Sequence, residues 1–292
     1  MKKLEDFIKQ TQSQLFSELL KIYSGKAMYS KDNFILVKGV APIMLVAHLD
    51  TVHKQPVKDI CTSADGNILM SPQGIGGDDR CGVYALVHAY EQSAIKPYLL
   101  FTCNEEKGGI GAKAFVKCLD QLPEVKESKL LVEIDRKGSN DAVYYDCDNP
   151  DLEAYITSKG FGTNYGTFSD ISVIAPALGV AAVNLSSGYY NAHQLHEYIN
   201  RAELETTISK VVEIVEESAR PDFPRYEYID AYYGYYDSWG YADFDEPEEV
   251  PSEYEQIYCE LLERYTEEKL EYLRGVYGNQ ILVDLYLEEQ EK

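Results

Sequence analysis

Along the first 220 residues, short wholly apolar runs alternate with longer stretches in which apolar positions recur every three or four residues. Leu4, Phe7, Ile8, Leu15, Leu19 and Ile22 fall at helical spacing and predict one opening amphipathic helix that closes near Ser24 and Gly25. The runs FILVK (34–38) and IMLVAHL (43–49), separated by Gly39 and Pro42, read as strands. Residues 57–63 and 67–71 flank the turn signal Asp65-Gly66 as a hairpin. Asp79 to Tyr90 predicts a helix, YLLFTC (98–103) a buried central strand, Gly111 to Leu119 a helix, and KLLVEI (129–134) a second central strand. Ala142 to Tyr145 and VAAVNLS (180–186) add strands, and Asp151 to Ser158 and Asp170 to Leu178 add helices. Ala202 to Ser218 closes the series as a helix with Leu204, Ile208, Val211, Val212 and Val215 on one face, ended by Pro221 and Pro224. Alternating strands and helices of this kind predict an α/β fold of three layers, with a mostly parallel, mixed central sheet between helices.

The pattern changes after Arg220. Residues 226–255 are rich in tyrosine and acid, show no steady period and read as an irregular linker. Tyr254 to Leu273 then resembles a helix, and Ile281 to Leu287 a short strand or helix. The expected organisation is a chemistry-bearing domain over 1–220 and an acidic, Tyr-rich extension over 221–292. Of the formal net charge of −22, roughly two thirds falls in that extension. So acidic a chain is a poor partner for nucleic acid, whose phosphates demand a basic face. An apolar content of 45% supports a sizeable core. No stretch approaches 18 apolar residues, and the start MKKLEDFIKQ lacks a signal peptide's apolar core, so a membrane location is not expected and a cytoplasmic one is. The six cysteines include no CxxC pair and read as reduced thiols, which agrees with that compartment.

Candidate chemistry collects where the apolar runs end. In HLD, His48 and Asp50 share one face of a strand, so the carboxylate can fix the ring tautomer and leave the other nitrogen free for a metal; an ordinary polar pair has the same spacing. GIGGDDRCG (74–82) sets Asp78 and Asp79 in a glycine-dense turn before a helix, where either could instead serve as an N-cap. In NEE the adjacent Glu105 and Glu106 repel unless a cation or shared proton relieves them, or unless they lie in a solvated loop. VEIDRKG repeats the arrangement with Asp135, and YYNAHQLHE brings His193 and His196 close to Glu197. Each has a plain reading alone. Together, five sites at or near strand ends bearing only His, Asp and Glu point to metal chemistry, since open α/β sheets bind ligands beyond the carboxyl ends of their strands.

The ordered set HLD, GGDD, NEE, EID and YNAHxxxE resembles the co-catalytic dinuclear zinc exopeptidases, the aminopeptidases, di- and tripeptidases, carboxypeptidases and related deacylases of one α/β fold. The resemblance spans about residues 30 to 210. It implies that His48 binds one metal and Asp50 orients it, and that Asp78 bridges two metals with a cis peptide to Asp79. Glu105 would be the general base, Glu106 a ligand, and Asp135 and His193 would complete the two shells. The family's glutamate four residues past the last histidine favours His193, with Glu197, over His196. The implied cofactors are two divalent ions, Zn2+ foremost, with Mn2+ or Co2+ also suited to the donors. The implied reaction is peptide-bond hydrolysis through a metal-bridging water activated by Glu105. Short peptides losing N-terminal residues are the expected substrates. The rivals are a deacylase or amidohydrolase of N-acyl amino acids on the same site, and a non-catalytic metal-binding interaction protein, against which the intact Glu105 stands.

Between Asp135 and His193 there is room only for a compact αβ passage, so the resemblance is to the aminopeptidase-like branch without an inserted lid domain. Residues 160–172 resemble that branch's cleft-lining loop, which would put Thr167 and Asp170 near the substrate; alternatively Ser169 or Asp170 caps the next helix. The Tyr-rich tail reads as a solubilising extension, or as a lid or homo-oligomer contact. Near the cleft, its charge would repel acidic substrates.

Overall fold

The structure, a computed structural model, describes residues 2–231 together with Leu261, Tyr265, Lys269 and Leu270. Contacts divide the chain into two units, Met1–Ser238 and Trp239–Lys292, and the elements named below and the site lie in the first. Its elements begin with α1 (Leu4–Ile8), α2 (Gln12–Ile22), β1 (Ala27–Ser30), β2 (Phe34–Val37), β3 (Ile43–His48), β4 (Cys61–Thr62), β5 (Ile68–Met70), α3 (Gly77–Gln92) and β6 (Tyr98–Thr102). They continue with α4 (Ile110–Val116), β7 (Leu130–Arg136), β8 (Asp141–Val143), α5 (Pro150–Ser158), β9 (Gly162–Thr163), α6 (Asp170–Leu178), β10 (Ala182–Ser186), β11 (Tyr189–Tyr190), β12 (Tyr198–Asn200) and α7 (Arg201–Ser218).

The main sheet runs β1-β2-β6-β3-β7-β10-β8-β9. Its four central strands β6, β3, β7 and β10 are parallel, while β2 on one side and β8 on the other join antiparallel. These central strands are the near-continuous apolar runs of the sequence, as burial on both faces requires. Helices α3 and α7 cover one face and α4 and α6 the other, which completes the three expected layers. Along β3, Leu45 and Ala47 enter the core under α3 and α7 while Met44 and Val46 enter the core under α4 and α6. The alternation sends His48 out on the α4–α6 face, beside Thr102 of β6. A small antiparallel sheet, β11-β12-β5-β4, contains the hairpin expected around Asp65-Gly66.

The opening helix is not continuous. Thr11 stops it and caps a second one: its hydroxyl accepts from the Gln14 N–H, and the Gln14 side chain accepts from the Thr11 N–H. Strands β1, β9, β11 and β12 are additional to the predicted set, and all but β1 are only two or three residues long.

Nor does the chain leave the domain after α7. Phe223 and Tyr226 are buried, the Tyr226 N–H donates to the Lys129 carbonyl, and Arg225 reaches the carbonyls of Lys126 and Ser128. The helix expected over Tyr254 to Leu273 lies outside the described residues except for four positions, and Ile281 to Leu287 lies wholly outside them. Among the described residues no helix is long and apolar enough to cross a membrane.

Candidate active site

Five segments of the main domain deliver ionisable side chains to one place beyond the strand ends. Strand β3 ends at His48 and turns through Leu49 to Asp50. Strand β6 ends at Thr102, and after Asn104, in the left-handed region at φ 57°, a single 3-10 turn carries Glu105 and Glu106. Strand β7 presents Asp135 one residue before its end. Before α3, Gly76 at φ 66° makes the reversal that a side chain would strain, and Asp78 and Asp79 follow, joined by a cis peptide. His193, itself at φ 67°, lies in the loop between β11 and β12.

Asp78 stands at the centre. Its Oδ1 is 3.0 Å from His48 Nε2 and its Oδ2 is 3.2 Å from His193 Nε2. Asp135 Oδ2 lies 3.7 Å from His48 Nε2, and Glu106 Oε1 lies 3.1 Å from His193 Nε2. Glu105 Oε2 stands 4.0 Å from His48 Nε2. The structure thus brings together His48, Asp78, Glu105, Glu106, Asp135 and His193, while His196, on the same loop as His193, pairs with none of them.

The supporting contacts separate the two aspartates. Asp79 is buried in the non-helical start of α3, its oxygens accepting from the His48 N–H at 3.1 Å and, as a capping carboxylate does, from the Gly82 N–H at 2.7 Å. Asp78 is thereby left to face the histidines. Asp50 Oδ1 lies 3.3 Å from His48 Nδ1, and its two oxygens accept from the Glu105 and Glu106 N–H groups at 3.0 and 3.2 Å. One carboxylate so orients the imidazole and the backbone of both glutamates.

Three further residues support the site; Glu197 was marked by its place four residues past His193, while Arg80 and Glu133 carry no local signal of their role. Glu197, fully buried, accepts from the Gly76 and Asp78 N–H groups, each at 3.0 Å, and meets His53 Nε2 at 2.9 Å. Arg80, also buried, donates to the carbonyls of Leu49, Asp50 and Gln10 and so clamps the segment after β3. Glu133 is buried on β7 two residues before Asp135 and accepts from the Ser169 hydroxyl.

Asp170, expected on the cleft wall, is instead fully buried and accepts from the Thr102 hydroxyl. It is the first residue of α6 and lies close enough to Glu105 to act on its charge. Thr167 is exposed on the loop before α6.

So many acids in a buried place perturb one another. Burial, reinforced by Asp170, Glu106 and Asp78 and opposed by His48, pushes the Glu105 carboxyl up to about 8. Burial and the neighbouring Asp78 and Asp79 likewise push Asp135 up. Burial also acts to raise Asp78, but its hydrogen bonds with His193 and His48 outweigh this and hold it well below the usual carboxylate range. The same bonds, to Asp78 and Glu106, raise His193 to about 10.

The donor chemistry fits divalent cations. His48, Asp78 and Glu106 offer ligand atoms within 4.8 Å of one another, as do His48, Asp79 and Asp135. Asp79 is committed to backbone amides, which makes Asp78 the better partner in the second group. Glu106 Oε1 is buried and faces His193 Nε2 at 3.1 Å, two atoms that can each offer a lone pair to a shared ion.

Residues 37–173 match the model of Peptidase family M28. No curated protein matches the sequence. Among solved structures, the fold is similar to aminopeptidase PepT from Bacillus cereus (TM-score 0.57, 15% identity, 74% of this chain and 97% of that one covered). It is similar also to a tripeptidase from Staphylococcus aureus (0.56, 14%, 74% and 97%) and an aminopeptidase from Desulfurococcus kamchatkensis (0.55, 16%, 73% and 93%). At these identities the structural likeness speaks for the fold, and the peptidase family match adds the class of chemistry. The match to Peptidase family M28 over residues 37–173 agrees with the resemblance to the co-catalytic zinc exopeptidases read from the motif order, and the structural likeness agrees on the fold.

Proposed function

We propose that the protein is an aminopeptidase that releases N-terminal residues from short peptides with two divalent cations, zinc foremost. One observation carries this reading: Asp78 divides its two oxygens between His48 and His193, each of which has a second carboxylate, Asp135 and Glu106 respectively, beside it. That is a pair of ligand sets sharing one bridging residue. Imidazole and carboxylate donors suit zinc, and accept manganese or cobalt. When bound, such ions polarise a scissile carbonyl and bring a water's pKa towards 7.

The chain's own residues supply the rest. Glu105, next to but separate from the ligand sets, takes a proton from the attacking water at its carboxylate and returns it to the departing amine. Asp50 holds Glu105 and Glu106 in register through their amides, so base and ligand keep a fixed relation to His48. Asp79 and Glu197 hold the backbone on either side of Asp78, which keeps the bridging carboxylate from turning with its loop. The free thiols of the described cysteines support a reducing, cytoplasmic setting.

The test is a panel of aminoacyl anilides, dipeptides and N-acetyl amino acids, assayed with added zinc, cobalt or manganese. Cleavage of the first two classes supports the aminopeptidase. Cleavage confined to N-acetyl amino acids replaces it with a deacylase.

A further inference from the structure

Beside the carboxylate cluster, and sharing Asp50 and Glu106 with it, lies a cavity of about 520 Å3 between the α1–α2 turn and the segments that follow β3 and β6. Such a volume suits a small ligand of one or two residues. Buried Ile8, Val57 and Ile75 give it an apolar wall. Its charged lining is of a different kind from the rest of the molecule. Asp50 is committed to His48 and two amides, Glu106 to the ligand set, and His53 to Glu197. What is left is cationic: Lys54, Lys107 and Arg80.

Neither lysine has an acid partner among the described residues, while the Arg80 charge lies among those of Asp79, Asp50, Asp78 and Glu197. Lys107 Nζ donates to the Asn104 side chain at 3.2 Å, and Lys54 is exposed without an ion pair. Arg80 is only 4% exposed; its terminal nitrogens are spent on carbonyls, and its buried Nε–H has no acceptor. A buried guanidinium donor left unmade is costly, and an anionic acceptor would satisfy it. The chain carries 49 acidic against 27 basic residues, so unpaired cations gathered at one cavity are contrary to its composition. The repulsion of the net charge of −22 is screened beyond about 8–10 Å at ordinary ionic strength, and the nearby cations decide what the cavity accepts.

We propose that this cavity is a subsite for a carboxylate of the substrate, with Lys54 and Lys107 as its cationic contacts and Arg80 Nε as a buried donor. The proposal rests on the hydrolase reading and narrows its substrate class. The carboxylate has two sources, the C-terminus of a short peptide or an acidic side chain, and both present the same charge.

The experiment uses full-length, metal-reconstituted protein and two matched pairs: alanine tripeptide against its C-terminal amide, and Ala-Glu-amide against Ala-Gln-amide. The expected result is a kcat/KM at least tenfold higher for the carboxylate member of one pair, carried by KM and reduced by salt. The pair that shows it identifies the source. In the double variant Lys54→Gln/Lys107→Gln the ratio collapses towards one. Ratios near one in wild type for both pairs, or a preference that survives the double variant, overturn the subsite while leaving the hydrolase intact.

Should wild type cleave no peptide, the hydrolase reading fails and the cavity is judged by calorimetric titration of the same four compounds. Tighter binding of a carboxylate member, by tenfold and dependent on the two lysines, supports the subsite. Equal binding within each pair overturns it.

Discussion

The backbone N–H of Asp78 donates to Oε1 of Glu197 over 3.0 Å, across 119 residues of sequence. The loop bearing the central carboxylate is therefore held by a side chain from the segment between β11 and β12, the segment that also carries His193. Removing the acceptor in Glu197→Ala leaves the amides of Gly76 and Asp78 buried and unmade, at about 1–3 kcal/mol each. Metal affinity should fall about 10- to 100-fold as the loop loosens. Thermal melting and metal titration measure the two effects, and Glu197→Gln, which keeps one acceptor oxygen, should fall between the variant and wild type.

Glu105→Gln separates the base from the ligands. The substitution keeps the shape and removes the proton acceptor, so kcat should drop by about 10²–10⁴ with metal content unchanged. Steady-state kinetics paired with metal analysis checks it. A parallel loss of metal would instead make Glu105 a ligand.

Gly82 lies against Asp79. A Cβ added there would meet both Asp79 oxygens and the Ile134 carbonyl oxygen at 2.4 Å. Gly82→Ala should cost about 1–3 kcal/mol or more through overpacking, and should also weaken metal binding, because Asp79 holds the His48 backbone. Chemical denaturation with and without added metal would show both losses.

Asp170 predicts a pH dependence of stability. Burial holds its carboxyl at about 6 in the folded protein, above the ordinary value of 3.8. Below about pH 4 both folded and unfolded forms carry the proton. As the pH rises through 6 the unfolded form has already lost it, so stability falls, by roughly 3 kcal/mol for a shift of this size. Asp170→Asn removes that slope. Denaturant melts of chelator-treated protein between pH 4 and 7 should show the variant gaining on wild type through this window and running parallel above it.

Much of this arrangement was legible in the sequence because buried strands are apolar runs, and a run that stops at His48, Glu105 or Asp135 announces an ionisable group at a strand end. Thr11 and Gln14 also spelled out the break between α1 and α2, which the apolar spacing alone bridged. Other features depend on contacts that no local pattern carries. Asp78 and Asp79 are neighbours of one type, and only the folded backbone decides that Asp79 caps the helix while Asp78 faces the histidines. Asp170 opens its helix in a position from which a side chain can point outwards or inwards, and the hydroxyl of Thr102, 68 residues earlier, takes it inwards. The His53–Glu197 contact spans 144 residues and joins two segments that showed no relation.

If Asp78 joins two cation sites in one domain, metal counting by X-ray fluorescence on reconstituted, purified protein will show it. Wild type should carry about two transition-metal ions per chain, Asp78→Ala fewer than one, and His48→Ala a reduced content. Fewer than one ion per chain in wild type, or unchanged content in both variants, would contradict it.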